Sequence, residues 1–293
     1  MNDPKPLVES IDGPVRTALL LSGSGSNAVK IIAREMTYRK AGETPPYEVV
    51  LLVTDNENSN APKIAVQFKK KFIEINLQDY LAVMGADIKD MDARAEYDRV
   101  IQSELDREGV QMNGLAGWEW VVTDHILKGR PTANVHPGNL RTRKDDGKRA
   151  YIGLGWVPSA KAILAGEGYV NTSVHMVTEE LDGGPLAMVS EPVEVDTHGI
   201  PRDALLPSGM TLRKLMKERR LHGESRLEET LLEKVAGTHQ ELLKTHGDWV
   251  CFPLVMELLA SGRIQKDELG LLYFDNQPIP KGLDYTQELE LRR

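Results

Sequence analysis

An apolar run at residues 16–21 passes straight into Ser22-Gly23-Ser24-Gly25-Ser26-Asn27 and on into a helical pattern with Ala28, Ile31, Ile32 and Met36 on one face. A strand that feeds a helix through a glycine turn is a βα unit. It leaves the free N–H groups of the helix N-terminus at the strand's carboxyl end. The alternation continues down the chain. Residues 47–53 read as a strand, 62–71 as a helix and 72–75 as a strand. Residues 92–108 read as a helix with Tyr97, Val100, Ile101 and Leu105 as its stripe. Strands at 111–116 and 132–135 follow, with a short helix at 124–127 between them. Such alternation predicts an α/β fold around a doubly wound, mainly parallel sheet. Sheets of this kind bind ligands at the carboxyl ends of their strands.

The second half has a different texture. Residues 141–149 form a charged loop, expected to be solvated. Residues 158–165 read as a helix, and 170–177 and 186–195 as strands. From 211 to 246 the pattern is helical, with Leu212, Leu215, Leu227, Leu231, Leu232, Val235 and Leu242 as the inner face. A helix at 249–261 carries Pro253 in its first turn, and 271–274 reads as a late strand. We divide the chain into a catalytic α/β domain at 1–195 and a helical C-terminal extension at 196–293 that completes the same domain.

Charge and composition exclude several roles. A net charge of −8 argues against a binder of nucleic acid through a general basic surface. No apolar run reaches the length of a membrane span. Residues 1–16 lack the apolar core of a signal peptide, and Cys251 is the only cysteine, so a cytoplasmic protein without disulfides or a cysteine zinc site is expected. No histidine pair has the spacing of a helical zinc motif, and no metal is expected. Small-molecule substrates and a monomer or homodimer complete this reading.

Two motifs carry chemistry. In Asn134-Val135-His136-Pro137 the amide and the imidazole project from the same strand face. In Glu180-Leu181-Asp182-Gly183-Gly184-Pro185 a carboxylate sits on a turn that follows a strand. If the two strand ends are neighbours, one pocket holds a hydrogen-bond donor, a proton carrier and an anion. That set suits acyl transfer to an amine. Taken separately, each motif also reads as an ordinary turn. The glycine loop has two readings as well. It suits a substrate phosphate, and it lacks the Lys-Ser or Lys-Thr of a Walker loop. It also matches Gly-X-Gly-X-X-Ala at Gly23, Gly25 and Ala28, with Asp55 where a ribose-binding acid would stand, so an NAD(P)-dependent oxidoreductase is the rival.

Residues 19–27, Leu115-Ala116-Gly117, Asn134–Pro137 and 172–185 occur in the order found in the folate-dependent formyltransferase family. The chain resembles that family, and within it the glycinamide ribonucleotide branch, over residues 16–195 and weakly over 249–282. The resemblance implies a Rossmann-like formyltransferase fold. It also implies transfer of a formyl group from 10-formyltetrahydrofolate to a primary amine, as in purine biosynthesis. It assigns catalysis to Asn134, His136 and Asp182, and the acceptor phosphate to Gly25, Ser26 and Asn27. It assigns the folate pocket to Trp118, Glu119, Trp120, Val121 and Val122, the pterin to Thr178, Glu179, Glu180 and Leu181, and a place near the cofactor to Arg94. Thr245 and Asp248 fall where the acceptor ribose would be held. Related alternatives are a formyltransferase for an amino sugar nucleotide and a formyltetrahydrofolate deformylase.

The chain departs from the family at Gly138-Asn139-Leu140, at Gly155-Trp156-Val157-Pro158 and at Trp118 and Trp120, and residues 203–232 have no family counterpart. Outside the motifs, His175 reads as a buried structural histidine. His222, His239 and His246 read as solvated, Cys251 as core, and Lys69, Lys70 and Lys71 as a solvated helix end.

Overall fold

A computed structural model describes residues 3–8, 13–222 and 228–286. At its centre is an eight-stranded sheet. In chain order its strands are β1 (Val15–Leu20), β2 (Tyr47–Thr54), β3 (Lys71–Glu74), β4 (Met112–Leu115), β5 (Thr132–His136), β6 (Ser173–Met176), β7 (Leu186–Val189) and β8 (Leu283–Asp284). Across the sheet they run β8-β7-β6-β5-β4-β1-β2-β3. Every pairing is parallel except those of β6, which is antiparallel to both β5 and β7. From β1 the chain winds outward to β3, then returns to build β4 and β5 on the other side. The switch point therefore lies between β1 and β4, and their carboxyl ends open a crevice. There the Ser22 N–H donates to the Gly117 carbonyl at 2.9 Å and ties the two loops together.

The two faces of β1 explain the layers. Successive residues of a strand point to opposite faces. Leu19 joins a core with Ala28, Ile31 and Ile32 of α1 (Ser26–Lys40), Ile64 of α2 (Ala61–Phe68) and Phe252 and Met256 of the C-terminal helix Trp249–Ala260. Ala18 and Leu20 join a core with Leu77 and Leu81 of α3 (Leu77–Met84) and Tyr97, Ile101 and Leu105 of α4 (Met91–Arg107). Both faces of the sheet are buried, as parallel strands require. Gly25 makes the first turn possible. Its φ is 65°, and an added Cβ would lie 2.4 Å from Ile64 Cδ1 and 2.6 Å from Leu21 Cδ1. A side chain there meets both a strained backbone and occupied space.

Several boundaries differ from expectation. Helix α3 was not anticipated; it is short, and its start is fixed by Asn76, whose side chain accepts from the Asp79 N–H at 3.1 Å. Val100 is 39% exposed and lies off the buried stripe of α4. The expected strands at 170–177 and 186–195 are each broken in two. Asn171 donates to the Ser190 carbonyl at 2.9 Å, and the Ser190 hydroxyl accepts from the Thr172 N–H at 3.0 Å. These side chains interrupt the ladder, and Tyr169–Val170 and Val193–Glu194 form a separate two-stranded sheet.

The lysine cluster is solvated at Lys69 and Lys71, as expected, and half-buried at Lys70. Helix α2 ends at Phe68, Lys71 opens β3 and bonds Glu108 at 2.8 Å, and Lys70 reaches Glu35. In the C-terminal half, after α5 (Asp124–Leu127), α6 (Val157–Ala165) and α7 (Leu212–His222), helix α8 (Leu231–Leu243) runs through a π-helical turn, Lys244–Asp248, into α9 (Trp249–Ala260). Because this run is continuous, Pro253 sits inside it rather than in a first turn. Leu231 and Leu242 are exposed, while Leu215, Leu232 and Val235 are buried; Leu227 lies outside the described residues. Capping explains the start of α8: Thr230 and Glu233 form a reciprocal capping box.

Glu35 ties the first layers together. It is 1% exposed and accepts from Lys70 at 2.9 Å, Arg39 at 3.1 Å and the Val49 N–H at 3.0 Å. Removing one member of a buried polar set leaves its partners uncompensated. Glu35→Ala is expected to lower the free energy of unfolding by about 2–3 kcal/mol, discounted for the exposure of Arg39. Urea unfolding of the variant with a midpoint unchanged from the parent would contradict this.

Candidate active site

A cleft of about 420 Å³ opens at the carboxyl ends of β1, β4 and β5. One part of its wall is the loop Gly23 to Asn27 together with Gln240, Lys244 and Asp248. Another is Leu115 to Val122 with Val177, Thr178, Glu180 and Leu181. Asn134, His136, His175 and Asp182 also line it, as do Gly153, Leu154 and Gly155. Most of the residues expected to act on substrates are thus in one cavity. Its size suits small organic ligands.

Strand pairing builds the polar centre. In the β5–β6 register Asn134 stands opposite His175, and the turn after β6 delivers Asp182. Asp182 is 8% exposed and adopts a left-handed φ of 51°. Its carboxylate lies 3.5 Å from His136 Nδ1 and 3.6 Å from His175 Nε2, so it sits between two imidazoles. His136 Nε2 is 2.7 Å from the Tyr151 carbonyl. A carbonyl only accepts, so this nitrogen carries a proton. His175 Nδ1 donates to the Met176 carbonyl at 3.0 Å. Its Nε2 accepts from the Asn134 amide at 3.2 Å when the ring is neutral, and donates toward Asp182 when it is charged.

Burial lowers the His136 pKa, opposed by the Asp182 carboxylate and the Tyr151 carbonyl. For Asp182, burial pushes upward, but hydrogen bonding from His175 and the proximity of His136 outweigh it and hold the carboxyl below its usual range. Asp182 therefore stays ionised, and its charge favours the imidazolium of its neighbours. His175, read from sequence as purely structural, belongs to this centre.

At the glycine loop, no side chain caps the N-terminus of α1. Free N–H groups at a helix start, together with the helix dipole, favour negative charge there. The π turn carries Lys244 and Asp248 to the same wall. Asp248 accepts from the Thr172 hydroxyl at 2.7 Å, and burial raises its pKa to about 6 against hydrogen bonds from Thr172 and Asn27. Thr245 is turned the other way: it is exposed, its hydroxyl donates to the Leu242 carbonyl at 3.0 Å, and it does not line the cleft. Asp248 was expected here from the family resemblance; Gln240 and Lys244 were not, and showed in sequence only as a polar series with it at intervals of four on a helical segment.

The opposite wall holds two tryptophans. Trp118 is 7% exposed, and its Nε1 has no hydrogen-bond partner among the described residues. Trp120 Nε1 donates to Asp55 at 2.5 Å. Asp55 is buried and does not line the cleft, so it is not placed to hold a cofactor ribose. Arg94 sits behind the wall rather than in it. It donates to the Val121 carbonyl at 2.9 Å, and its guanidinium lies 5.2 Å from the Trp120 ring. Glu179 is exposed and does not line the cleft, because the turn that closes with Gly183 N–H on the Glu180 carbonyl leaves it outside.

Two further expectations fail. Within the charged loop 141–149, residues 143–148 are solvated, but Arg149 is buried and donates to the Asp182 and Gly184 carbonyls. Arg141 docks on the Lys281 carbonyl at 2.7 Å. His239 is also buried: its Nδ1 donates to the Val235 carbonyl at 2.7 Å and its Nε2 accepts from the Asp196 N–H at 3.0 Å. His246 is exposed, and the side chain of His222 lies outside the described residues.

The formyl transferase family model matches residues 15–199. No curated protein matches the chain in sequence. Among solved structures, the fold is similar to that of phosphoribosylglycinamide formyltransferase from Coxiella burnetii, at 19% identity and a TM-score of 0.61, covering 93% of this chain and 100% of that one. It is similar to glycinamide ribonucleotide transformylase 1 from Symbiobacterium toebii, at 19% identity and a TM-score of 0.58, with 91% and 98% covered. It is also similar to phosphoribosylglycinamide formyltransferase from Anaplasma phagocytophilum, at 17% identity and a TM-score of 0.57, with 93% and 100% covered. At these identities the likeness is one of fold.

Asp248 gives the site a signature in stability. A carboxyl whose folded pKa of about 6 lies above its unfolded value takes up a proton on folding. Its contribution is fully present below about pH 4 and is lost as pH rises through the folded value. Asp248→Asn keeps an acceptor for Thr172 and removes that slope. The variant is expected to gain on the order of 2 kcal/mol over the parent at about pH 8 and nothing at about pH 4. Urea unfolding at both pH values checks this; parallel pH dependence of the two proteins would refute it.

Proposed function

Because this chain belongs to the formyl transferase family, we propose that it moves a formyl group from 10-formyltetrahydrofolate to the primary amine of a phosphorylated acceptor, glycinamide ribonucleotide, in a cytoplasmic step of purine synthesis. The reading is carried by one observation. Asn134, His136 and Asp182 line the same cleft as an anion-binding helix terminus and an apolar wall. An acceptor that carries both a phosphate and an amine would use the first; a planar, apolar donor would use the second.

The residues present fit that donor. Val121, Val122, Val177 and Leu181 offer apolar surface beside the backbone of the loop that follows β4. When bound, 10-formyltetrahydrofolate supplies the formyl carbon. On the acceptor side, the N–H groups of Gly25, Ser26 and Asn27 would take the phosphate, with Lys244 as a cation on the same wall. Asp248 would accept from hydroxyl groups.

The chain's own part in the reaction follows from charge. As an amine attacks a carbonyl carbon, negative charge grows on the oxygen and positive charge on the nitrogen. Preorganised donors stabilise the oxygen without reorganising. The Asn134 amide has a second N–H beyond the one directed at His175, and His136, once protonated with Asp182 as its counter-ion against the downward pull of burial, would add positive charge. Asp182 holds that charge in place. It also gives the amine proton a destination, directly or through a water. As the carbonyl re-forms, the bond between the formyl carbon and N10 of the folate would break, N10 would take up a proton, and tetrahydrofolate would leave, with no covalent bond to the enzyme required.

His136→Ala and Asp182→Asn are each expected to lower turnover by on the order of 10²-fold or more, with folate affinity little changed. The substrate is checked by incubating the protein with 10-formyltetrahydrofolate and a panel of amines, following the folate absorbance with and without each amine. Formylation of glycinamide ribonucleotide, and restored purine-independent growth of cells that lack this activity, is the expected result. Folate turnover without any amine would replace the transferase by a deformylase. Preference for an amino sugar nucleotide would move the acceptor. Binding of NADH without folate would overturn the reading.

A further inference from the structure

The segment 149–153 meets the polar centre at several points. The Tyr151 carbonyl accepts from His136 Nε2 at 2.7 Å. The Gly153 N–H donates to the Asp182 carboxylate. Arg149 donates through one terminal nitrogen to the Asp182 carbonyl and through the other, at 2.6 Å, to the Gly184 carbonyl. From α6, Lys161 donates to the Ile152 carbonyl at 2.5 Å and pins the middle of the segment. The approach is close: a Cβ on Gly138 would stand 2.6 Å from the Tyr151 oxygen and 2.9 Å from His136 Nε2.

These contacts act on one geometric problem. Asp182 holds a left-handed backbone, which a residue with a Cβ adopts only when its surroundings enforce it. Arg149 is 8% exposed and grips the carbonyls of Asp182 and Gly184, fixing the turn from inside the protein. A fork of N–H groups suits two carbonyls at once, and a single ammonium does not.

We propose that Arg149 is a positioning residue for formyl transfer: it fixes the turn that aims the Asp182 carboxylate at His136 and anchors the segment that sets the Tyr151 carbonyl against the far side of the same ring. The proposal rests on the formyltransferase reading above. With an acceptor at each ring nitrogen, the charged imidazole satisfies both. A neutral ring protonated on Nε2 would turn the lone pair of Nδ1 toward a carboxylate. Burial disfavours the His136 cation most and lowers its pKa; the facing Asp182 and Tyr151 carbonyl favour the cation, and the charges of His175 and Arg149 oppose it. Around Arg149 stand the charges of Arg143, Asp182 and Glu180, and around Lys161 those of Lys144 and Asp182.

The test uses the full chain and four variants: Arg149→Ala, Arg149→Lys, Gly138→Ala and Lys161→Met. Turnover, both KM values and the pH profile of kcat are measured, after circular dichroism shows that each variant is folded. Arg149→Ala is expected to lose between about 10- and 100-fold in kcat with the acceptor KM within about twofold, the scale of a small misplacement of reacting groups. Added guanidinium ion should restore part of this loss, while Arg149→Lys stays impaired. In Gly138→Ala and Lys161→Met the alkaline limb of the kcat profile should move to lower pH, since the cation loses its second acceptor.

Folded Arg149→Ala with the parent's kcat and pH profile would overturn the proposal. So would a loss of activity that guanidinium leaves untouched and that appears in KM alone. If Arg149→Ala does not fold, an unmoved pH profile in Gly138→Ala overturns it and a shifted one supports it. An inactive parent chain, with every amine tried, removes the formyltransferase reading and this proposal with it. An active parent with unaltered variants removes only the proposal.

Discussion

A carboxylate taken out of water must be given donors by the chain around it. Asp182 receives them from separate parts of the fold: His136 at the end of β5, His175 within β6, and the Gly153 backbone in the connection to α6. Much of the polar centre is arranged to keep this one group charged and in place. The antiparallel insertion of β6 puts His175 beside Asn134 and lets the following turn fold back over β5. Were β6 parallel to β5, its carboxyl end would lie beside that of β5 instead of beside Ala133, and the register partner of Asn134 and the path of the turn would both change.

Around that centre the fold supplies two half-sites of opposite character. The loop after β1 presents unpaired N–H groups at the start of a helix. The loop after β4 presents apolar side chains and ordered carbonyls. Their juxtaposition follows from the winding of the sheet, because both leave adjacent strands at the switch point. The second layer of residues is what makes the apolar wall firm: Arg94 holds a carbonyl and stacks on Trp120, whose indole is anchored by Asp55. The cleft is thus lined partly by loops and partly by strand residues, with Asn134 and His136 on β5 and His175 on β6.

The alternation of strands and helices in the first half was readable from sequence because most of those strands are short apolar runs bounded by glycine or charge; the strand order, the antiparallel insertion of β6 and the short β8 were not. The alternation of side chains along a strand was enough to pair Asn134 with His136, and the turn chemistry of Asp182-Gly183-Gly184 was enough to single out the acid. What escaped reading depends on partners far apart in the chain. Trp120 and Asp55 are 65 residues apart, and no local pattern links them. Arg149 looked like one more charge in a solvated loop, since its partners are backbone carbonyls, which every sequence contains. His175 looked like a core residue because its significance lies in strand register. Thr245 was placed beside Asp248 by resemblance to the family, and the π turn that carries Asp248 to the cleft leaves Thr245 on the exposed side.

That π turn gives the molecule an adjustable joint. A π turn holds one residue more than an α turn, and one residue corresponds to roughly 100° of rotation about a helix axis. Deleting a single residue between Lys244 and Asp248 would leave α9 seated on the sheet and turn α8 through about a quarter of a circle. Gln240 and Lys244 would leave the acceptor wall, and other side chains of α8 would replace them. The polar centre, built on β5, β6 and the Asp182 turn, would not move. The lining of the cleft in a scaffold of this kind can therefore be re-indexed by the smallest change in chain length, independently of the polar centre around Asp182.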